Sequence, residues 1–192
     1  MNILNDSLLV AMQSFRQPLM TDFVDTKFGD LVNVNYKNRN YESIKDNLSK
    51  YVQDICEVML DNLRVKKYYQ YFMISSDYTT PGNPTTNGLW HLDSSLNADH
   101  EFENQLFVTG RNNTTEFVIN RIEVPRASDG KDFDSLVKKN FLETVRIVPC
   151  TITSYDGRNV HRGPFCKDRE KRMLIRIINT DKQLPSYEKK KN

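Results

Sequence analysis

His91 and Asp93 stand two residues apart in Trp90-His91-Leu92-Asp93. On an extended chain, side chains at that spacing share a face, so an imidazole and a carboxylate can reach one metal ion from the same side. His161, in Asn159-Val160-His161-Arg162-Gly163, supplies a third donor beyond a second strand-like run. Two histidines and a carboxylate form a facial set that leaves three positions of an octahedral ion open. That suits non-haem iron(II) holding a bidentate cosubstrate and oxygen together. His-x-Asp by itself is a weak signal, because such pairs arise by chance and a lone histidine is more often a satisfied framework residue. The chain has three histidines, and two of them flank turns next to strand-like runs. The third, His100, lies in a polar loop and offers an alternative zinc pairing with His91.

The run 172–179 alternates. Met173, Ile175 and Ile177 fall on one face, and Arg172, Leu174 and Arg176 on the other. Arginines on an otherwise apolar strand are costly unless an anion meets them. A guanidinium grips a carboxylate through two parallel hydrogen bonds, which lysine cannot do. The plainer alternative is that both arginines pair with internal acids.

Together, Trp90-His91-x-Asp93, the later His161 and Arg172-x-x-x-Arg176 resemble the iron(II)- and 2-oxoglutarate-dependent dioxygenases, most closely their taurine dioxygenase-like branch, over roughly residues 87–179. The resemblance implies a double-stranded β-helix, a jelly-roll barrel of cupin type. It implies iron(II) held by His91, Asp93 and His161, with 2-oxoglutarate and O2 as cosubstrates. Arg172 would bind the far carboxylate of 2-oxoglutarate, and Arg176 would lie at the cosubstrate or substrate end. Thr115, in Thr115-Glu116-Phe117, would help hold the same carboxylate, although a register slip would substitute Thr114. The implied reaction decarboxylates 2-oxoglutarate to succinate and carbon dioxide and hydroxylates a substrate. That substrate is not legible: the region between Phe117 and Val145 is too short for the family's long lids. Asn87, Tyr69 and Tyr71 are candidates for the mouth of the site or for plain framework. Two other classes stay open, a cupin-like metalloprotein without 2-oxoglutarate chemistry and a catalytically silent jelly-roll module.

The elements that must position these residues are mainly β with flanking helices. Apolar residues at Ile44, Leu48, Val52, Ile55, Met59 and Leu63 predict a long helix over 41–64, its stripe braced against Met173, Ile175 and Ile177. A short amphipathic helix is predicted over 6–16 and another over 132–141. Strands are predicted over 65–75, 105–108, 114–120, 145–155 and 172–179, with Pro149 marking an edge or a bend and Gly110-Arg111-Asn112-Asn113 a turn. The 192 residues read as one domain: 1–64 mostly helical support, 65–180 the jelly-roll core, 181–192 a flexible basic tail.

Lys plus Arg total 27 against 25 Asp plus Glu, a formal net charge of +2. No strong pull toward nucleic acid or membrane follows, and nucleic acid as a substrate is not excluded. The chain has 3 cysteines without metal-like spacing, so a disulfide framework is not expected. No signal-peptide pattern or membrane-length apolar run occurs, and a cytoplasmic location is the expectation.

Overall fold

A computed structural model describes residues 2–4, 9–17, 34–93, 103–120, 123–125, 130–139, 142–157, 159–184 and 187–188. Its strands are β1 (Asn2–Leu4), β2 (Val10–Ser14), β3 (Val34–Arg39), β4 (Tyr69–Tyr78), β5 (Glu103–Val108), β6 (Glu116–Val118), β7 (Glu123–Pro125), β8 (Thr144–Arg146), β9 (Thr151–Asp156), β10 (His161–Arg162), β11 (Lys171–Thr180) and β12 (Tyr187–Glu188). Two α-helices accompany them, α1 (Lys50–Asp61) and α2 (Gly130–Lys139). A seven-stranded antiparallel sheet runs in the order β12-β3-β4-β11-β5-β9-β2, and a three-stranded one in the order β10-β6-β8, with β1 and β7 as a separate pair. This mostly antiparallel, two-sheet arrangement is consistent with a jelly roll, and no closed barrel is formed among the described residues. No helix among them is long and apolar enough to cross a membrane.

Alternation along β11 sets the layers. Met173, Ile175 and Ile177 are fully buried in one cluster with Ile44, Leu48, Val52, Ile55 and Met59. Helix α1 therefore covers the outer face of the large sheet through the apolar stripe expected of it. On the opposite face Leu174 joins Leu106, Val108, Phe117 and Tyr155, which closes the space between the two sheets. The far side of the small sheet is covered by α2, whose Phe133 and Val137 pack with Trp90, Val118 and Val160. The order is helix, large sheet, small sheet, helix.

Several predicted elements differ. The long helix over 41–64 is two single 3-10 turns, Tyr41–Ser43 and Lys45–Asn47, followed by α1. Ser49 breaks it: its backbone is extended and its hydroxyl accepts from Val52 N, so it caps a new helix instead of continuing an old one. In place of the helix over 6–16, Val10–Ser14 is a strand paired with β9, so the N-terminal third is not mostly helical. The short apolar run there is below the length at which a helix holds by itself, and the edge of β9 offers it a ladder. Part of the expected tail is strand as well, since Tyr187–Glu188 pair with β3.

The 145–155 run divides at Pro149-Cys150, where Cys150 takes φ +58, into β8 in the small sheet and β9 in the large one. The turn 110–113 likewise carries the chain from β5 in the large sheet to β6 in the small one. Gly110 is required there. Its φ is +104, and a Cβ would lie 2.9 Å from Glu170 Oε1, whose carboxylate accepts from Arg111 N.

Candidate metal centre

His91 and His161 are a hydrogen-bonded antiparallel pair, each amide donating to the other's carbonyl at 2.9 Å. Cross-strand partners present their side chains on one face. The rings stand 4.4 Å apart by centroid, and Asp93, two residues after His91, joins the same face. One nitrogen from each imidazole and one Asp93 oxygen lie within 4.8 Å of one another. His161 Nε2 is 3.5 Å from Asp93 Oδ2. Adjacent ligands at about 2.1 Å from a shared ion would be roughly 3 Å apart, so modest side-chain rotation brings the set to coordination distance.

The imidazoles are also oriented for the task. His91 Nδ1 donates to Leu89 O at 2.8 Å, and His161 Nδ1 to Asn159 O at 2.9 Å. Each ring thus keeps Nε2 as an unprotonated acceptor, the arrangement usual in metal-ligating histidines. Burial pushes His161 down to about 4, against the smaller opposing pull of Asp93, so the ring is neutral at pH 7. Behind this pair, Arg162 lies over the Trp90 ring at 4.4 Å and donates through Nε and Nη2 to Glu116 Oε2, both at 2.9 Å. That brace fixes the outward side of the two ligand strands. Beyond it, Gly163 admits no side chain, because a Cβ would meet Thr86 Oγ1 at 2.5 Å and Thr85 Oγ1 at 2.7 Å.

Asp93 is engaged on both oxygens. Arg176 Nη1 donates to Oδ1 at 2.7 Å and Tyr155 OH to Oδ2 at 2.8 Å. Burial raises the Asp93 carboxyl, but Arg176, His161 and the Tyr155 hydroxyl outweigh it and hold the group well below the usual carboxylate range. A carboxylate has about four lone-pair positions, so Oδ2 retains room for a cation. Two imidazoles and one carboxylate suit a divalent first-row metal.

Arg172 and Arg176 both turn inward with Leu174, as the alternation of β11 requires. Arg176 meets an internal acid, and Arg172 does not. Its 6 % exposed side chain donates from Nε to Asn113 O at 2.9 Å, while Nη2 has no partner among the described residues. Burial pushes the guanidinium down to about 10. Asp77 is its cross-strand partner, yet the two make no ion pair. Instead Arg172 forms a wall of a polar cavity of about 230 Å³, which Ser75, Asp77, Thr79, Asn83 and Thr85 also line. The Thr85 hydroxyl is buried and likewise lacks a partner among the described residues.

Thr115 is buried, and its carbonyl accepts from Ile147 N. Alternation places it with Phe117, hence with His161, whereas Thr114 turns the other way and donates to Ile147 O. Thr115 is not part of the cavity wall around Arg172. Asn87 is framework, accepting from Gly163 N and Leu89 N. So is Tyr71, whose hydroxyl accepts from Leu184 N and whose ring stacks on Tyr69. His100 lies outside the described residues. Tyr155 was not anticipated, because every residue of Thr151–Tyr155 is buried and alternation marks no inward face. A buried tyrosine in a polar strand, needing a partner for its hydroxyl, is the one signal that could have singled it out.

The metal-free protein is expected to lose stability on acidification in a defined window. His161 titrates near 4 when folded against about 6.5 unfolded, so between those values the unfolded chain binds the extra proton. Unfolding free energy should fall as pH drops from about 6.5 toward 4, by up to about 3 kcal/mol. Urea titrations at several pH values would measure this, and His161→Gln should flatten the slope.

No protein-family model and no curated protein matches the sequence. Among solved structures, the chain is similar to EvdO2 from Micromonospora carbonacea var. aurantiaca complexed with 2-oxoglutarate, at TM-score 0.42 and 10 % identity over 77 % of this chain and 67 % of that one. A second EvdO2 structure gives TM-score 0.42 and 12 % identity, covering 87 % and 77 %. EvdMO1 gives 0.42 and 16 %, covering 82 % of this chain and 38 % of its own. Likenesses this distant carry no argument about function, which rests on the side chains above.

Proposed function

We propose that this chain is a non-haem iron(II)- and 2-oxoglutarate-dependent dioxygenase on a double-stranded β-helix of cupin type, hydroxylating a substrate with release of succinate and carbon dioxide. The observation that carries the reading is Arg172. A buried guanidinium with a free Nη2, opening on a polar cavity from the same sheet face as the His91, Asp93 and His161 cluster, calls for an external carboxylate.

Iron(II), when bound, would supply the site at which O2 is activated, with O2 as the oxidant and 2-oxoglutarate as the two-electron reductant that leaves as succinate and carbon dioxide. The chain's own residues hold and orient. His91 and His161 offer Nε2 because their Nδ1 protons are committed to backbone carbonyls, and Asp93 offers the third ligand. Arg172 receives the far carboxylate of 2-oxoglutarate in the cavity that the Thr85 hydroxyl also lines, and Thr115, outside that wall, takes no part in holding it. Leu106, Val108, Phe117 and Leu174 keep water from the space between the sheets. The three cysteines are buried free thiols, which supports a reducing, cytoplasmic setting.

The test is anaerobic titration of the iron-loaded protein with 2-oxoglutarate, followed by the charge-transfer absorbance of the chelate. Saturable binding is expected. A screen of small-acid, amino-acid, nucleotide and peptide substrates for stimulated, iron-dependent succinate release would then find the reaction. Metal binding with no effect of 2-oxoglutarate would leave a cupin-like metalloprotein instead.

A further inference from the structure

The second arginine of β11 makes a contact that a cosubstrate or substrate ligand would not need. Its Nη1 is 2.7 Å from Asp93 Oδ1, while Tyr155 OH is 2.8 Å from Oδ2, the oxygen that also faces His161 Nε2 at 3.5 Å. The two partners arrive on different strands. Arg176 sits on β11 directly opposite Leu106 of β5, and Tyr155 sits on β9 directly opposite Asn104 of β5, so β5 separates them and fixes their spacing. Tyr155 is held in turn by edge-on packing against Phe117 at 5.1 Å and His161 at 5.5 Å. The carboxylate is therefore oriented by the large sheet, whereas His91 and His161 are oriented by their pairing at the edge of the small sheet.

We infer that Arg176 and Tyr155 are positioning residues that divide the Asp93 carboxylate, so that Asp93 presents Oδ2 alone, beside His161 Nε2, to a divalent cation. Arg176 thereby serves the metal centre, and the carboxylate of 2-oxoglutarate is left to Arg172. The inference rests on the metal-binding part of the proposed function but not on 2-oxoglutarate chemistry. Its chemical basis is that a guanidinium 2.7 Å from Oδ1 takes one of that oxygen's lone pairs and, being positively charged, repels a second cation from it, whereas the neutral Tyr155 hydroxyl leaves Oδ2 open to one. A carboxylate freed of it can rotate and chelate through both oxygens. The Tyr155 hydroxyl limits the rotation of Oδ2 about the Cβ–Cγ bond.

The experiment uses Co2+ as the probe, with calorimetric affinity and the visible d–d spectrum, which reports coordination number, as readouts that need no turnover. Arg176→Met is expected to weaken Co2+ binding about tenfold or more and to change the d–d bands as Oδ1 reaches the ion. Arg176→Lys, which can still donate to Oδ1, should retain the wild-type spectrum. Tyr155→Phe keeps the ring packing, and it should weaken Co2+ binding about tenfold without adding a ligand. The inference is overturned if Arg176→Met binds Co2+ with wild-type affinity and spectrum, and a concurrent loss of 2-oxoglutarate binding would assign Arg176 to the cosubstrate. It is also overturned if Tyr155→Phe, which is expected to fold, leaves both Co2+ affinity and spectrum unchanged. A wild-type protein that binds no Co2+ would remove the metal reading itself, an outcome distinct from unchanged variants of a protein that does bind it.

Discussion

Arg172→Met is expected to lower 2-oxoglutarate affinity about a hundredfold or more while leaving the cosubstrate-free protein as stable as the wild type or up to about 2 kcal/mol more so. The first half follows from the charge-assisted hydrogen bonds, each worth about 1.5–3 kcal/mol, that a carboxylate would lose together with the one cation among the described residues lining the cavity. The second half follows from the unligated geometry. Arg172 is buried, has no acid within ion-pair distance among the described residues, and leaves Nη2 unpartnered. Burial depresses its folded proton affinity relative to the free side chain, so the charged form is disfavoured by folding at neutral pH. Met fills a similar volume and removes the desolvated charge; against this, the Asn113 carbonyl loses its donor, at about 1–3 kcal/mol. Calorimetry with 2-oxoglutarate and urea unfolding without it would measure the two effects on one variant. Arg172→Lys should fall between, keeping charge but losing the fork. A residue that weakens the fold and strengthens a ligand is retained for the ligand. Unchanged 2-oxoglutarate affinity with a large loss of stability would instead make Arg172 a framework residue.

The parts of this molecule that were legible in the sequence are those in which periodicity meets a strong energetic requirement. The alternation of β11 is the clearest case: three apolar residues on one face need an apolar cover, which α1 and the turns before it provide, and two arginines on the other need polar partners, Asp93 for Arg176 and the Asn113 carbonyl for Arg172. The stripe from Ile44 to Met59 is buried as its spacing predicts, but it is not one continuous helix: Ile44 and Leu48 reach the same cluster from the ends of two 3-10 turns, so a four-residue spacing mimics a helical one there. A cap such as Ser49 is decided by a hydrogen bond of a few tenths to about 2 kcal/mol, too small to outweigh the pattern in a sequence-level reading. Val10–Ser14 was misread for the opposite reason. Its fate depends on the free edge of β9, some 140 residues away, and no local signal encodes it. The spacing of His91 and Asp93 placed both on one face, and pairing of the two histidine strands brought His161 to them. For the partner of Arg176 the sequence implies only an anion or an internal acid. That Asp93 is this acid depends on the stacking of one sheet on the other, which the chain order does not state.

Asp93→Ala should produce two losses with different remedies. Removing one of three ligands, and the one carboxylate of the set, is expected to reduce divalent-metal affinity by more than a hundredfold. The metal-free protein should also be destabilised by about 3–5 kcal/mol, because Arg176 is left as a buried cation and the Tyr155 hydroxyl loses its acceptor. The pH dependence should change with it. Because the folded carboxyl lies below its unfolded value, its stabilisation is present above about pH 4 and is lost as pH falls through the folded value. That acid-side loss should be absent from the variant. In the double variant Asp93→Leu with Arg176→Met, both charges go and apolar groups of similar volume take their place. Stability should then return to within about 1–2 kcal/mol of the wild type, with no return of metal binding. Metal titration and urea unfolding of the wild type, Asp93→Leu, Arg176→Met and the double variant complete the cycle. If Asp93→Ala is as stable as the wild type, the Arg176 pair carries no net energy, and the low proton affinity assigned to Asp93 is wrong. If the double variant regains metal binding, the cation is held without Asp93 and the three-residue centre is wrong.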